Sequence, residues 1–338
     1  MALYNKVNRE ELKAALANST EDRITLSFYR YVSINDTADF RDKLFIDWEK
    51  LNVFGRIYVA KEGINAQISV PGKNWDEFET YVRNHNYLGN DLRLNIAVED
   101  DGKSFYKLKI KVRPKIVADG LNDENFDVTN RGKHLSAEEF NDLTKQDNTI
   151  VVDMRNHYES EVGHFNEAIC PDVDTFREAL PVVEEILQEH KDKHIVMYCT
   201  GGIRCEKASA YYKHKGFEHV YQLDGGIIQY ARDVKENGME NKFIGKNFVF
   251  DERLGERISD EIIANCHQCG APCDTHVNCK NVTCNLLFIQ CEECANKQEG
   301  CCSDDCQEFI HLPEEEQLAR RKGLDNGIRI FSKGRLRK

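Results

Sequence analysis

The sequence predicts a mixed, multi-domain protein: an α+β domain, then an α/β domain with a parallel sheet, then a small cysteine-rich metal-binding module. Three observations carry this. Residues 24–99 run strand, helix, strand, strand, helix, strand; residues 115–237 alternate strands with helices; and ten of the 13 cysteines fall between Cys266 and Cys306. At 338 residues the chain has room for two or three domains. The expected boundaries are 1–114, 115–240, 241–317 and a basic tail at 318–338.

In the first domain, Ile24–Val32 is rich in β-branched and aromatic residues and reads as a strand. Phe40, Leu44, Phe45, Trp48 and Leu51 recur at helical spacing over Asp39–Leu51. Arg56–Ala60 and Ile64–Val70, separated by Lys61-Glu62-Gly63, predict a hairpin. Trp75–Asn84 predicts a second helix and Leu92–Val98 a last strand. This βαββαβ order is the split-βαβ, ferredoxin-like arrangement, which leaves one sheet face free. Lys107-Leu-Lys-Ile-Lys-Val-Arg113 alternates without interruption. As a strand it turns Leu108, Ile110 and Val112 inward and Lys107, Lys109, Lys111 and Arg113 outward.

In the second domain, Ser136 with Glu139 three residues on predicts a capping box. Thr149–Arg155 predicts a buried strand ending on Asp153 and Arg155, and Phe176–Glu189 a helix. Ile195-Val-Met-Tyr-Cys-Thr-Gly-Gly-Ile-Arg-Cys205 predicts a strand that delivers Cys199 into a tight loop at a helix N-terminus. Backbone N–H groups there favour a thiolate or an anion bound to it. Cys199 is therefore the candidate nucleophile or group carrier, with Arg204 holding the loop and placing positive charge beside the sulfur. Thr200, Gly201, Gly202 and Ile203 form the loop, and Asp153 and Arg155 are expected at its rim as a substrate contact or as a brace. Cys205 is a candidate thiol for resolving an oxidised Cys199. The four residues between Cys199 and Arg204 make the loop one residue shorter than those that encircle a phosphate. It better suits a terminal sulfur or oxygen on Sγ.

In the third unit, two Cys-x2-Cys pairs predict metal binding, since each short pair can occupy two corners of a tetrahedron. Cys266, Cys269, Cys291 and Cys294 make one candidate site, though the spacings do not fix the partition and leave interleaved pairing open. Cys273, Cys279, Cys284, Cys301, Cys302 and Cys306 hold enough ligands for a second, with His276 in reserve. One or two structural zinc ions are expected, with an iron–sulfur cluster as the rival.

Net charge is −12, which excludes a uniformly basic nucleic-acid binder. The charge is uneven, however. Lys103–Lys115 holds six Lys/Arg and no acid, and Leu318–Lys338 holds eight against Asp325 alone. Lys107, Lys109, Lys111, Arg113, Arg320, Arg321 and Lys322 are candidate phosphate contacts. No apolar run is long enough to span a bilayer and the first residues lack a secretory pattern, so no membrane is expected and the setting is cytoplasmic.

Asp153-x-Arg155, Gly163-His164, the Cys199–Arg204 loop and Leu223-Asp-Gly-Gly226 together resemble a rhodanese domain. With the acylphosphatase-like N-terminal domain, Lys61-Glu-Gly-Ile-Asn-Ala66, Cys266-His-Gln-Cys-Gly270 and Cys291-Glu-Glu-Cys294, nearly the whole chain resembles the rhodanese-type tRNA uridine(34) 5-hydroxylases. The resemblance implies an oxidoreductase that acts on tRNA with molecular oxygen as co-substrate, converting the wobble uridine to 5-hydroxyuridine. It gives Cys199 the persulfide-forming role of rhodaneses. No dinucleotide-binding glycine pattern is present, and no nucleotide cofactor is expected. The alternatives are a persulfide sulfurtransferase using thiosulfate or a carrier protein, and a zinc-bearing RNA-binding adaptor.

Overall fold

The computed structural model describes residues 7–121, 126–324 and 329–331. After α1 (Arg9–Ala17), the N-terminal domain contains β1 (Arg23–Tyr31), α2 (Thr37–Lys50), β2 (Phe54–Ala60), β3 (Gly63–Pro71), α3 (Trp75–Asn84), β4 (Asn95–Ile96) and β5 (Leu108–Val112). Its sheet runs β4-β1-β3-β2-β5, antiparallel except that β5 lies parallel to β2. This is the ferredoxin-like order with one added edge strand. Asp36 starts α2 earlier than the apolar spacing suggests, accepting from the N–H groups of Ala38 and Asp39. The apolar face of the sheet, including Leu26, Phe28, Ile57, Ala66 and Ile68, packs against Leu44, Trp48 and Phe78 of the two helices.

Two strand expectations need correction. The last strand of the βαββαβ unit pairs only at Asn95–Ile96 rather than over 92–98. Asp100 takes the N–H of Thr25, at 2.5 Å, that the next rung of the ladder would use. On β5, Leu108 and Ile110 are buried, but Val112 is 42% exposed because the strand runs past the edge of the core.

The second domain adds β6 (Lys133–Leu135), α4 (Ala137–Leu143), β7 (Thr149–Asp153), α5 (His157–Ser160), β8 (Gly163–Phe165), α6 (Phe176–Leu187), β9 (His194–Tyr198), α7 (Ile203–His214), β10 (His219–Leu223) and α8 (Gly226–Asn237). Its parallel sheet is ordered β6-β10-β9-β7. Both faces are covered, as a parallel sheet requires. Phe176, Leu180, Ala208 and Tyr212 pack with Ile195 and Met197 on one side, and Phe140, Ile227 and Tyr230 with Val196 and Tyr198 on the other. Ser136 and Glu139 form the expected capping box.

The chain then crosses back. β11 (Phe243–Asn247) pairs antiparallel with β8 and with β12 (Glu256–Arg257), which stitches the third unit to the second. The cysteine-rich part holds β13 (His276–Asn278), β14 (Leu286–Ile289), α9 (Glu292–Lys297), α10 (Asp304–Ile310) and α11 (Glu314–Arg321). Arg329–Ile330, as β15, returns parallel to β14, so this part of the expected tail is a strand. The rest of the tail from 325–328 and 332–338 lies outside the described residues. No helix among the described residues is long and apolar enough to cross a membrane.

Candidate active site and cysteine clusters

Strand β9 ends at Tyr198, and the loop Cys199–Gly202 leads into α7. Gly202 caps the helix with φ +99°, a conformation side chains resist. A Cβ there would also lie 2.8 Å from the Tyr29 hydroxyl of the N-terminal domain. Gly226 serves the same loop from outside. The N–H groups of Ile227 and Ile228 donate to the carbonyls of Cys199 and Thr200 at 3.0 and 3.2 Å. A Cβ on Gly226 would stand 2.4 Å from the Cys199 carbonyl. The Asp-Gly-Gly sequence is thus a close-approach device that supports the cysteine loop.

The Gly202 N–H donates to Cys199 Sγ at 3.1 Å. Burial pushes the Cys199 thiol up. The thiol of Cys205, the Arg204 guanidinium and the N–H groups of Cys205 and Arg204 outweigh it and bring the thiol to about 6. Cys205 is itself fully buried, and burial followed by the neighbouring Cys199 sulfur pushes its thiol well up. It sits beside Cys199 as a hydrogen-bond donor within the apolar core.

Arg204 is held by Glu159, with hydrogen bonds of 2.6 and 2.9 Å to the two carboxylate oxygens, and by Thr200 Oγ1 at 3.3 Å. Glu159 is wholly buried. The sequence reading missed it, although Asn156-x-x-Glu159 has capping-box spacing and Glu159 accepts the Asn156 N–H at 3.0 Å. Asp153 and Arg155 do not belong to the rim. Both are 0% exposed, with Arg155 Nη2 at 2.7 Å from Asp153 Oδ2 and 2.6 Å from the Gly163 carbonyl. The pair braces the turn at Gly163 inside the domain, because a buried guanidinium needs every donor answered.

Cys199 has no exposed surface, yet it lines a cavity of about 210 Å³. The roof of this cavity is the uncovered face of the N-terminal sheet, which contributes Ser27, Tyr29, Gln67 and Asn95. Phe250, Arg253 and Glu256 of the third unit close one side. Contacts to the cysteine loop and its neighbours hold the roof down. Tyr29 Oη donates to Glu206 at 2.9 Å, Asn95 Nδ2 donates to the Gly201 carbonyl at 3.4 Å, and Arg93 pairs with Asp224. Lys207, 2% exposed, joins Glu62 of the first domain at 2.9 Å to Asp119 of the connecting segment at 2.5 Å. None of this interdomain chemistry was visible in the cysteine loop alone.

A second cavity of about 500 Å³ adjoins the first and shares Phe105, Phe250 and Asp251 with it. Arg56, Lys107, Lys109 and Arg329 are among its walls. Among the described residues, Arg56, Lys107, Lys109, Lys111 and Arg113 have no acidic partner. Lys107 instead lies 5.4 Å from the centre of the Tyr106 ring, and Arg113 lies 5.9 Å from that of Tyr58. Arg320, Arg321 and Lys322 stand exposed at the end of α11, with Arg320 paired to Glu316 at 2.6 Å. They line neither cavity.

The cysteines form two groups of four: Cys266, Cys269, Cys291 and Cys294, and Cys279, Cys284, Cys302 and Cys306. Within each group the ligand atoms lie within 4.8 Å of one another. The Cys269–Cys291, Cys284–Cys302 and Cys302–Cys306 sulfurs are 3.6, 3.7 and 3.8 Å apart. Sulfurs bound tetrahedrally at about 2.3 Å from one ion are about 3.8 Å apart, whereas a disulfide needs about 2.05 Å. Both groups therefore fit one ion held by four thiolates. Backbone N–H groups of Cys291 and Cys302 point at the sulfurs of Cys266 and Cys279, each at 3.4 Å. Cys273 and Cys301 stay outside both groups, buried beside them in the same two clusters. His276 also stays outside and packs on Phe248, 5.0 Å between ring centres.

Residues 23–116 match the UPF0176 acylphosphatase like domain, 136–233 the Rhodanese-like domain, and 244–307 the Rhodanase C-terminal family. A tRNA uridine(34) hydroxylase of Yersinia pseudotuberculosis is 59% identical over 333 residues, 98% of this chain and 94% of that protein. The chain belongs to the tRNA uridine(34) hydroxylase family. Another hydroxylase of this name, from Photorhabdus laumondii, is 57% identical over 99% of this chain and 95% of its own. Among solved structures, a rhodanese-related protein of Thermoplasma volcanium is similar to 33% of the chain and 97% of its own, at 20% identity and TM-score 0.27. The matches to both hydroxylase relatives run over all three units of the chain.

Proposed function

We propose that this protein hydroxylates C5 of uridine 34 in tRNA, using molecular oxygen, at Cys199. The observation that carries the reading is the enclosure of a thiolate-favouring cysteine between the rhodanese loop and the open face of a second domain, beside a groove whose Arg56, Lys107 and Lys109 have no acidic partner among the described residues. A single-stranded anticodon loop offers bases that can be turned out of the stack and phosphates for such cations. Overall, one oxygen atom enters at C5, the other leaves as water, and a reductant supplies two electrons.

Each residue has a role in this reading. Cys199 carries the reacting group on sulfur. The Gly202 N–H and the helix N-terminus stabilise its negative charge, Arg204 fixes the loop and adds positive charge, and Cys205 donates to the sulfur from the core. Thr200, Gly201 and Ile203 shape the floor. Lys107, Lys109, Lys111 and Arg113 receive phosphates. Arg320, Arg321 and Lys322 add an outer contact through the tail. The two cysteine groups each hold one zinc ion that keeps the third unit folded against the cavity. A tRNA substrate and reduced thiols fit a cytoplasmic setting.

A persulfide sulfurtransferase would use the same loop, but it has no need of the sheet roof or of the unpaired cations. The test is Cys199→Ser in cells, with tRNA nucleosides read by mass spectrometry. 5-Hydroxyuridine is expected to vanish while the protein stays folded. Full modification in the variant overturns the proposal.

A further inference from the structure

Five side chains form one row across the N-terminal sheet. Ser27 lies opposite Asn95 on β4 and opposite Gln67 on β3, Gln67 opposite Arg56 on β2, and Arg56 opposite Lys109 on β5. Partners in a sheet project to the same side. Ile57 and Ala66, one residue along, belong to the helix-covered core, so this row faces the other way, toward Cys199. Asn95, Ser27 and Gln67 line the Cys199 cavity, while Arg56 and Lys109 line the adjoining groove.

The polar end of the row is unfinished. Asn95 is 2% exposed, and its Oδ1 is buried with no hydrogen-bond partner among the described residues. Its Nδ2 donates to the Gly201 carbonyl at 3.4 Å, which fixes the way the amide points and leaves an acceptor unanswered. A buried acceptor without a partner is costly, which marks a place where a ligand donor completes the site. The side chains of Ser27 and Gln67 make no hydrogen bonds among the described residues either, and both can donate.

We propose that this row reads a uracil base and tracks the phosphates beside it. Asn95 Oδ1 accepts the N3–H of the base, Ser27 and Gln67 donate to its carbonyl oxygens, and Arg56 and Lys109 hold the RNA backbone where it leaves the cavity. Cytosine is rejected because its N3 is an acceptor and would meet the Asn95 oxygen unpaired. The proposal rests on the reading of the chain as a tRNA uridine hydroxylase and assigns the selection of the base within it.

The experiment measures binding of anticodon stem–loop RNAs carrying uridine or cytidine at position 34 to the full-length, metal-loaded protein. Oxygen is excluded so that no turnover occurs. The unaltered protein is expected to prefer uridine by roughly tenfold or more, the scale of one matched base contact. Asn95→Ala and Gln67→Ala should each pull the ratio toward one. The Gln67 side chain has no hydrogen bond among the described residues to lose, so its variant tests recognition without disturbing the fold. Arg56→Ala with Lys109→Ala should weaken both RNAs alike and flatten the salt slope by about one to two. An unchanged uridine-to-cytidine ratio in both Asn95→Ala and Gln67→Ala overturns the assignment, even if tRNA is still hydroxylated. A ratio that collapses in those variants, with no 5-hydroxyuridine formed by the unaltered protein in air, upholds the assignment and sinks the hydroxylase reading instead.

Discussion

Glu159 grips Arg204 through both carboxylate oxygens, at 2.6 and 2.9 Å, behind the loop that carries Cys199. The acid is fully buried and the arginine 8% exposed, so neither charge has water to fall back on. Part of the positive charge near Cys199 is therefore neutralised from behind.

Removing that acid separates two effects. Glu159→Gln leaves Arg204 buried without a counter-charge, and breaking such a pair costs on the order of 3–5 kcal/mol. The melting temperature is expected to fall. The unopposed guanidinium should also favour the thiolate more strongly, so the midpoint for Cys199 alkylation should move down. A lower melting temperature with an unmoved midpoint would mean that Arg204 acts on the loop only as a brace.

The thiol at about 6 fixes the pH dependence. Above that value Cys199 is a thiolate, and below it the sulfur takes a proton. The rate of alkylation, with reagents small enough to enter the cavity, should rise through about pH 6 and then level off. Hydroxylation should fail on the acid side of the same midpoint. Cys205→Ala removes a donor to the sulfur and should shift the midpoint upward.

Lys207 offers a test of the domain junction. It is 2% exposed and joins Glu62 to Asp119, itself 2% exposed. Burial pushes the Asp119 carboxyl up, but Lys115, Lys207 and the Leu121 N–H outweigh it and hold it below its usual value. A lowered carboxylate stabilises the fold above its unfolded pKa, and that contribution fades as pH falls through the native value. Lys207→Met should lower stability at neutral pH by on the order of 3–5 kcal/mol. It should also flatten the acid-side loss, since less remains to be lost. Urea melts at several pH values measure both.

The cysteine groups predict a stoichiometry. Metal analysis of anaerobically purified protein should find two ions per chain. Cys291→Ser and Cys302→Ser should each reduce this to one, from different groups. Cys273→Ser and Cys301→Ser should leave both ions in place, because neither sulfur belongs to the two sets of four. Chelation should unfold the third unit, since each small cluster is built around its sulfurs.

Much of the fold is legible in the residues. The apolar spacing of Phe40, Leu44 and Trp48, the Ser136–Glu139 cap and the run from Ile195 to Arg204 are local signals, and local signals decide helices, caps and loops. The strand ending at Asn95–Ile96 was harder, because a side chain from Asp100 competes for its ladder. The short Cys-x2-Cys pairs offer one cysteine group from spacing, but an interleaved partition fits the same spacing and only the fold decides between them. The second group was open among six residues, since only folding decides that Cys301 turns inward while Cys302 turns toward Cys284.

The sequence by itself determined which sulfur is poised for chemistry: strand, glycines and helix start are contiguous, so the backbone donors around Cys199 follow from local order. It also determined that a sheet with one uncovered face precedes that loop. Only the tertiary structure decided that this face closes over Cys199, that Glu159 and not the Asp153–Arg155 pair stands behind Arg204, and that Asn95 and Gln67 look into the cavity. Those groups lie from about forty to more than one hundred residues from the loop. Asn95 and Gln67 reach it only through the docking of two domains, and Glu159 only because α5 packs back against α7 within the second domain; no local pattern encodes either.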